Sequence, residues 1–254
     1  MLKSHTFKLF LGKIRIPTAY LSTQTQPQEH LQSFRTSEDS PLRHSDDHIG
    51  QFYKISSDVK KQLFLYGGFP KLYETQLKTF GETCLMIRKP SVDIINCLSH
   101  INLANPTIRF VLYGKKGTGK SLSLAHIIHY AYEAGYLLVH VPWVGNWMRR
   151  CQESSNSDFK PGTIDLNLDA AAWLVHFKHQ NSHLLNHELK TTQDHIWSAR
   201  EKTLKDAPLL ELVDHGINRI KFASQCIVIL ANEIKQLSVA GKCKTLVAVD
   251  GFNA

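Results

Sequence analysis

The sequence predicts an α/β fold in which helices flank a parallel sheet and a phosphate-binding loop connects the first strand to the first helix. Three observations predict it. Residues 114–121 read G-K-K-G-T-G-K-S and fit the pattern G-x-x-x-x-G-K-[ST] at every fixed position. This segment lies between a β-prone apolar run, 108–113, and a helical stretch without glycine or proline, 122–134. A second apolar run, 136–141, follows that helix, as expected for a parallel β-α-β unit.

Each residue type in the loop suits the binding of a phosphate group. Glycine permits positive φ and a close approach of the backbone to a ligand, and the following helix adds its positive N-terminal end. Lys120 is predicted to contact the β- and γ-phosphates, and the Ser121 hydroxyl to hold Mg²⁺. The predicted nucleotide-binding residues are Gly114, Lys115, Lys116, Gly117, Thr118, Gly119, Lys120 and Ser121.

A third apolar run, 245–249, ends at Asp250. A carboxylate at the end of a strand beside the loop can reach Mg²⁺ or its water, so Ser121 and Asp250 are the predicted magnesium residues. The next residue is Gly251, where many P-loop ATPases have a glutamate that activates the attacking water. We therefore predict no catalytic residue and slow hydrolysis, with weak GTPase activity left open.

Composition favours a packed protein without a membrane span. The chain has 254 residues, of which 43% are hydrophobic, and no apolar run approaches the about 18 residues of a membrane helix. The formal net charge is +8, a mild preference for polyanionic partners, and four of these charges fall within residues 1–28. The five cysteines include no C-x-x-C pair, which argues against a zinc knuckle or a disulfide framework and favours a reducing compartment.

Four regions divide the chain. Residues 1–28 are basic, hydroxylated and free of acidic residues, which is typical of a mitochondrial transit peptide, although a disordered basic tail remains an alternative. Residues 29–48 are predicted to be a flexible linker. Residues 49–107 form a mainly helical region before the loop, and residues 108–254 a partial P-loop domain.

Within the helical region, we predict helices over 58–66, over 71–88 with an interruption near Gly81, and from Pro90 to about His100. Within the P-loop domain, we predict a loop over 151–161 and a helix over 168–185 capped by Asp165 or Asn167. A longer helix is expected from Pro208 to about Leu237, with a weak point at Gly216. A P-loop sheet normally has two further strands, so the sheet is expected to be incomplete at the C-terminus.

Several residue clusters receive a structural interpretation. His176, His179, His183 and His187 share one helical face, but eleven helical residues span roughly 16 Å, too far for all four to bind one ion. We expect them to be a solvated polar face, and interpret His126 and His129 in the same way. The four tryptophans are predicted to pack in the core; they are Trp143, Trp147, Trp173 and Trp197.

Three segments carry a resemblance to a known family. They are the segment that begins Gly68-Phe69-Pro70 and continues to K-T-F-G-E-T-C-L-M-I-R-K-P, the loop segment I-R-F-V-L-Y-G-K-K-G-T-G-K-S-L-S-L, and L-V-A-V-D-G-F-N-A at 246–254. They resemble the death-associated GTP-binding proteins of the mitochondrial small ribosomal subunit. The similarity covers roughly residues 48–254 and extends far beyond the P-loop.

The resemblance implies an AAA+-type P-loop domain in the head of the mitochondrial small subunit, in the matrix. It implies GTP or GDP with Mg²⁺ as the ligand, although no motif selects the base and ATP is not excluded. The phosphate contacts transfer to Gly117, Gly119, Lys120 and Ser121, and the acidic motif to Asp250. The implied partners are small-subunit rRNA and ribosomal proteins, and the family is also linked to apoptosis. An active ATPase or GTPase switch and an apoptotic adaptor are the alternative functions.

Overall fold

The computed structural model describes residues 34–185 and 189–252, so the predicted transit peptide and His187 lie outside the described residues. Short 3-10 turns occupy Pro41–Arg43, Asp46–His48 and Ile220–Phe222. In chain order the helices and strands are β1 (Phe52–Ile55), α1 (Ser57–Phe64), α2 (Lys71–Phe80), β2 (Thr83–Met86), α3 (Lys89–Ser99), α4 (Lys120–Glu133), β3 (Tyr136–Val141), α5 (Val144–Arg149), β4 (Ser155–Asn156), β5 (Ile164–Asp165), α6 (Asn167–Gln180), α7 (Ser182–Leu185), β6 (His195–Ile196), β7 (Lys202–Thr203), α8 (Leu209–Asn218), α9 (Ala223–Val239) and β8 (Lys244–Val249).

A parallel pair of strands, β3 and β8, lies at the centre of the fold. The register runs from Tyr136 opposite Lys244 to Val141 opposite Val249. Successive side chains of a strand point to opposite faces. Leu137 accordingly packs into a core formed by α6, α8 and α9, whereas Leu138 packs with α1, α4 and the β1–β2 hairpin. β3 is therefore sandwiched between two apolar layers, whereas β8 packs on one face through Leu246 and Ala248 and leaves Val247 64% exposed on the other. The two strands and the α/β class predicted from the sequence are confirmed.

The predicted helix after the glycine loop is confirmed as α4. Its buried residues lie on several sides, because α4 packs against α3, β3 and the β1–β2 hairpin. The helix ends before Gly135, whose φ of 74° is the left-handed conformation that glycine adopts without steric cost. The Gly135 amide donates to Tyr132 O (3.1 Å), and the chain enters β3 directly.

The predicted strand at 108–113 is wrong. This segment has no strand assignment, and the side chains of Val111 and Tyr113 are 79% and 90% exposed. A strand forms only where its backbone groups have a ladder partner. One edge of β3 is paired with β8, and on its other edge Leu138 is hydrogen-bonded by the side chain of Asn181. Among the described residues, no strand is paired with 108–113, and the parallel partner of β3 is β8 instead.

The helix predicted over 71–88 is shorter than expected. It ends at Gly81, which has a φ of 70° and whose amide donates to Leu77 O (2.9 Å). The following residues Thr83–Met86 form β2 and pair antiparallel with Phe52–Ile55. The β-prone run in β2, with Thr83 and Leu85 buried, is consistent with a strand. The predicted helices α1 and α3 are confirmed within two residues at each end.

The second half of the chain departs from the predicted helices at two points. No side chain caps α6, because the Asn167 side chain instead accepts a hydrogen bond from the Ser224 amide (3.2 Å) on α9. The predicted long helix is two helices, α8 and α9, separated by the 3-10 turn Ile220–Phe222. Gly216 lies within α8, where an added Cβ would come within 2.5 Å of Leu174 Cδ1 and 2.8 Å of Cys226 Cβ. This glycine therefore permits close packing of α8 on α6 and α9 and is not the break.

Two short antiparallel pairs, β4–β5 and β6–β7, complete the described strands. The resulting architecture is mixed α/β with one parallel pair in the described part of the chain. The tryptophans are confirmed as packing residues: Trp173 and Trp197 are buried, and Trp143 and Trp147 pack against the same core. None of the helices described is long and apolar enough to cross a membrane.

Candidate nucleotide-binding site

The glycine-rich loop has the backbone conformation that its sequence predicts. Gly114, Gly117 and Gly119 have φ values of 143°, 84° and 82°, a region that side-chain-bearing residues rarely adopt. Gly119 is the residue that immediately precedes α4, and no side chain caps the helix there. The first-turn amides of α4 are therefore without the side-chain acceptor that commonly satisfies such groups, as at an anion-binding helix terminus.

Contacts within the loop hold it closed. The Lys120 ammonium group donates to Gly114 O (3.0 Å) and Lys115 O (2.8 Å). The Thr118 hydroxyl donates to Lys115 O (2.9 Å). These bonds bring the predicted binding residues from both ends of the loop together around one turn of backbone. The side chains of Lys115 and Lys116 are exposed beside it.

Ser121 and Asp250 lie at the same edge of the strand pair by topology. The fourteen residues of α4 rise about 21 Å, and the six residues of β3 extend about 20 Å in the return direction. The first turn of α4 is thus level with the carboxyl end of β3. Since β8 is parallel to β3 in register, Asp250 also emerges there, and its amide donates to Val141 O (3.0 Å). This edge carries both predicted magnesium residues.

The residues present fit a nucleotide phosphate with Mg²⁺. An uncapped helix terminus, a lysine and two neighbouring cations suit the phosphates, and a hydroxyl with a carboxylate supplies the oxygen ligands that Mg²⁺ prefers. Gly251 offers no side chain to activate water.

Sequence reasoning missed one residue of this site. The Arg88 guanidinium donates through Nη1 to Thr118 O in the loop. Arg88 lies 30 residues before the residue that it contacts, at the junction of β2 and α3. No local spacing links it to the P-loop pattern. Its position inside the segment that resembles the family was the available signal.

Histidine residues predicted to be solvated are buried instead. His126 is fully buried, and its Nε2 lies 2.8 Å from Nδ1 of His44, whose other ring nitrogen is 3.0 Å from Glu38 O. One nitrogen of the close pair must donate and the other accept, which suits two neutral imidazoles. Burial first, and then the neighbouring His44, lower the pKa of His126 to about 3. His129 is also buried and lies 3.3 Å from the Tyr53 hydroxyl.

A second buried pair connects β3 with α6. His176 Nε2 lies 3.3 Å from His140 Nδ1, and the Gln180 amide lies 3.2 Å from the same atom. Burial, with His176 as the second cause, lowers the pKa of His140 to about 3, and burial lowers that of His176 to about 4. The solvated face predicted for this part of the chain is therefore wrong for His176. These rings fill the core because β3 and α6 pack closely there.

Stability is expected to fall as the pH is lowered from 7 to 5. The folded pKa values of His126, His140 and His176 lie below the unfolded value of about 6.5, so in this window these three side chains take up protons mainly in the unfolded chain. Their stabilising effect is complete above pH 6.5 and declines below it, by about 1.4 kcal/mol per pH unit for each histidine. Urea denaturation at pH 5.0, 6.0 and 7.0 measures this slope.

Replacement of one buried histidine tests this explanation. His126→Gln is expected to flatten the dependence of unfolding free energy on pH. Equal stability of the unaltered protein at pH 7.0 and pH 5.0 would show that these imidazoles are not held neutral.

The fold and the loop define a class before any comparison with known proteins. A glycine loop at the start of a buried helix, with an aspartate directly after the carboxyl end of a nearby parallel strand, is typical of α/β phosphate-binding proteins. Residues 85–254 match the family model for mitochondrial ribosomal death-associated protein 3. The chain belongs to this family.

Two curated relatives extend the comparison beyond the family model. The chain is 39% identical over 238 residues to small ribosomal subunit protein mS29 of Bos taurus, which covers 94% of this chain and 59% of the relative. It is 39% identical over 220 residues to the Mus musculus protein of the same name, covering 87% and 56%. The chain therefore spans less than three fifths of the length of these relatives.

Proposed function

We propose that this protein is a structural component of the mitochondrial small ribosomal subunit that supports mitochondrial translation in the matrix. The observation that carries the proposal is the similarity to two proteins named for the small ribosomal subunit, which extends over nearly the whole chain. The net charge of +8 suits an rRNA partner, alongside neighbouring ribosomal proteins. Residues 1–28 act as the targeting segment in this proposal.

The second part of the proposal is that loop 114–121 binds a guanine nucleotide with Mg²⁺. Lys120 contacts the β- and γ-phosphates, the amides of the loop and of the first turn of α4 surround them, and Ser121 and Asp250 hold the metal with its water. The uncapped start of α4 and the positive φ of the loop glycines support this assignment. The guanine base rests on the family resemblance, and ATP is the alternative ligand.

The nucleotide acts as a structural ligand in this proposal. No carboxylate follows Asp250 to activate water, because residue 251 is glycine. A ligand that binds only the folded state stabilises it by about 4 kcal/mol at a thousandfold excess over Kd. Binding therefore strengthens the fold around α4 without requiring turnover.

Sedimentation tests the ribosomal part. A tagged copy of this chain is expressed in cells beside a tagged full-length mS29, and mitochondrial lysates are separated on sucrose gradients at low and high salt. Both proteins are expected in the small-subunit fractions. With EDTA they should stay in these fractions if docking does not need Mg²⁺, and should move to the fractions of free protein if it does.

The control determines how each outcome is interpreted. Sedimentation of the full-length protein alone with the small subunit would refute docking by residues 1–254. Absence of both from those fractions would reject the ribosomal function and favour the GTPase switch or the apoptotic adaptor. Multiple-turnover hydrolysis that is abolished by Asp250→Asn would identify the switch. Protein partners that bind a ribosome-free pool of this chain, and that still bind the Lys120→Ala variant, would identify the adaptor.

A further inference from the structure

Arg88 is fixed in place by the backbone on both sides of it. Before it, the fully buried Ile87 extends the hairpin: its amide donates to Gln51 O (2.8 Å), and its carbonyl accepts from Gly50 (2.9 Å). After it, the Arg88 carbonyl accepts from the amides of Ser91 (2.9 Å) and Val92 (3.1 Å) in the first turn of α3. The side chain therefore starts from a rigid junction between the β1–β2 hairpin and α3.

The guanidinium of Arg88 lies against the loop backbone. Its Nη1 donates to Thr118 O. A Cβ built on Gly119 would lie 2.8 Å from Cζ of Arg88 and 3.3 Å from Nε, closer than side-chain carbons pack. The guanidinium thus covers the side of Gly119 that a Cβ would occupy. The φ of 82° favours glycine at 119, and a Cβ there would displace the guanidinium from its present position.

The contact determines which way the next amide points. The described peptide bonds are all trans. In a planar trans peptide, the carbonyl of Thr118 and the N–H of Gly119 point in opposite directions. Arg88 holds the carbonyl, so the Gly119 amide points away from the guanidinium. A charged donor on the carbonyl also polarises the peptide and strengthens its N–H as a donor.

Lys120 acts on two other peptides of the loop in the same way. It holds the carbonyls of Gly114 and Lys115, so the amides of Lys115 and Lys116 point away from the ammonium group. Loop carbonyls are therefore held by cations at both ends of the loop. Helix α3, which begins directly after Arg88, also packs against α4, with Ile95 and Leu98 in the same apolar cluster as Ile127 and Tyr130.

We propose that Arg88 is the positioning residue of the phosphate loop, which it holds with the Gly119 amide directed at the phosphate position. The proposal rests on the proposed nucleotide function for its ligand, but the contact itself is testable without nucleotide. Arg88 acts through the loop backbone and not on the base or ribose. Loss of this side chain should therefore weaken the binding of nucleotides and leave any weak binding of the phosphate-free nucleoside unchanged.

A double-mutant cycle in the nucleotide-free protein tests the contact. Gly119→Ala introduces the same φ strain in the wild-type and Arg88→Ala backgrounds, but the collision with Arg88 exists only in the first. We expect the fall in Tm caused by Gly119→Ala to be at least about 3 °C larger in the wild-type background. Equal falls in both backgrounds would overturn the proposal, whatever the protein binds.

Titration with Mg²⁺-GDP, Mg²⁺-GTP and guanosine tests the positioning role. Arg88→Ala is expected to lower the affinity for both nucleotides about tenfold, the effect of losing one charged hydrogen bond, and to leave the affinity for guanosine unchanged. Arg88→Lys is expected to restore part of the loss, since it keeps the charge without the planar fork. Lys89→Ala is the matched control, because Lys89 is exposed and pairs with Asp93 (3.2 Å) away from the loop.

The two experiments separate failure of the proposal from failure of the function. If the two falls in Tm differ as expected but the wild-type protein binds no nucleotide, the nucleotide function is rejected and the contact between Arg88 and the loop is supported. Nucleotide binding that is unchanged in Arg88→Ala, or weakened equally for guanosine, would overturn the positioning role and leave the nucleotide function intact.

Discussion

Replacement of Lys120 by alanine is expected to abolish measurable nucleotide binding. Lys120 is the first residue of α4, and its ammonium group donates to the carbonyls of Gly114 and Lys115, so it lies within the turn of the loop. Charged hydrogen bonds are worth about 1.5–3 kcal/mol each, and loss of two phosphate contacts should weaken binding about 100-fold or more. Calorimetric titration with Mg²⁺-GTP, Mg²⁺-GDP and Mg²⁺-ATP measures the loss and identifies the base.

Thermal unfolding gives a second measurement of the same variant. Saturating nucleotide is expected to raise the Tm of the wild-type protein and to leave that of Lys120→Ala unchanged. Lys89→Ala is the control, since Lys89 is an exposed cation that pairs with Asp93 (3.2 Å) on α3, and its loss should change affinity less than about threefold. Normal nucleotide occupancy in Lys120→Ala would refute the site. Turnover should change little, because it is expected to be low already.

The loop could be predicted because its determinants are local. A P-loop needs positive φ at particular glycines and a helix start directly after the lysine, and both requirements are encoded within the loop and the first residues of α4. The strands 136–141 and 244–249 were also predictable, because each contains a short, mainly apolar run between polar segments. Their pairing with each other depends on partners distant in sequence, which no periodicity reveals.

The contacts that complete the site and the core are non-local. Arg88 reaches Thr118 only because α3 packs on α4, and His126 is buried only because His44 and its segment cover that helix. The run 108–113 shows the converse, because β-propensity alone does not make a strand without a ladder partner. The helix predicted to extend past Gly81 stops there because Gly81 takes the left-handed conformation and the β-prone run 83–86 has a ladder partner in β1.

Asn181 is the clearest example of a role that the sequence does not reveal, because the sequence predicts it to be one residue of a long helix. The side chain is fully buried at the turn between α6 and α7. Its Oδ1 accepts from the Leu138 amide (2.7 Å), and its Nδ2 donates to the carbonyls of Leu138 and Phe177 (both 2.9 Å). One side-chain amide thus satisfies both backbone groups of Leu138, as a neighbouring strand would do. It closes the edge of β3 opposite β8.

Asn181→Ala is therefore expected to destabilise the protein by about 2–5 kcal/mol. The amide and the carbonyl of Leu138 would be left buried without partners, each at a cost of about 1–3 kcal/mol. For a chain of this size, this corresponds to a fall in Tm of roughly 5–15 °C. Chemical denaturation with the unfolding free energy extrapolated to water measures the effect.

Two further variants test the reason for that loss. Asn218→Ala changes an exposed asparagine at the end of α8 and should remain within about 0.5 kcal/mol of the wild-type protein. Asn181→Asp keeps an acceptor for the Leu138 amide but places a buried carboxylate opposite the carbonyls of Leu138 and Phe177, so it should be at least as destabilising as alanine. If Asn181→Ala proved as mild as Asn218→Ala, the edge of β3 would be satisfied by another group, and the side-chain amide would not be what closes it.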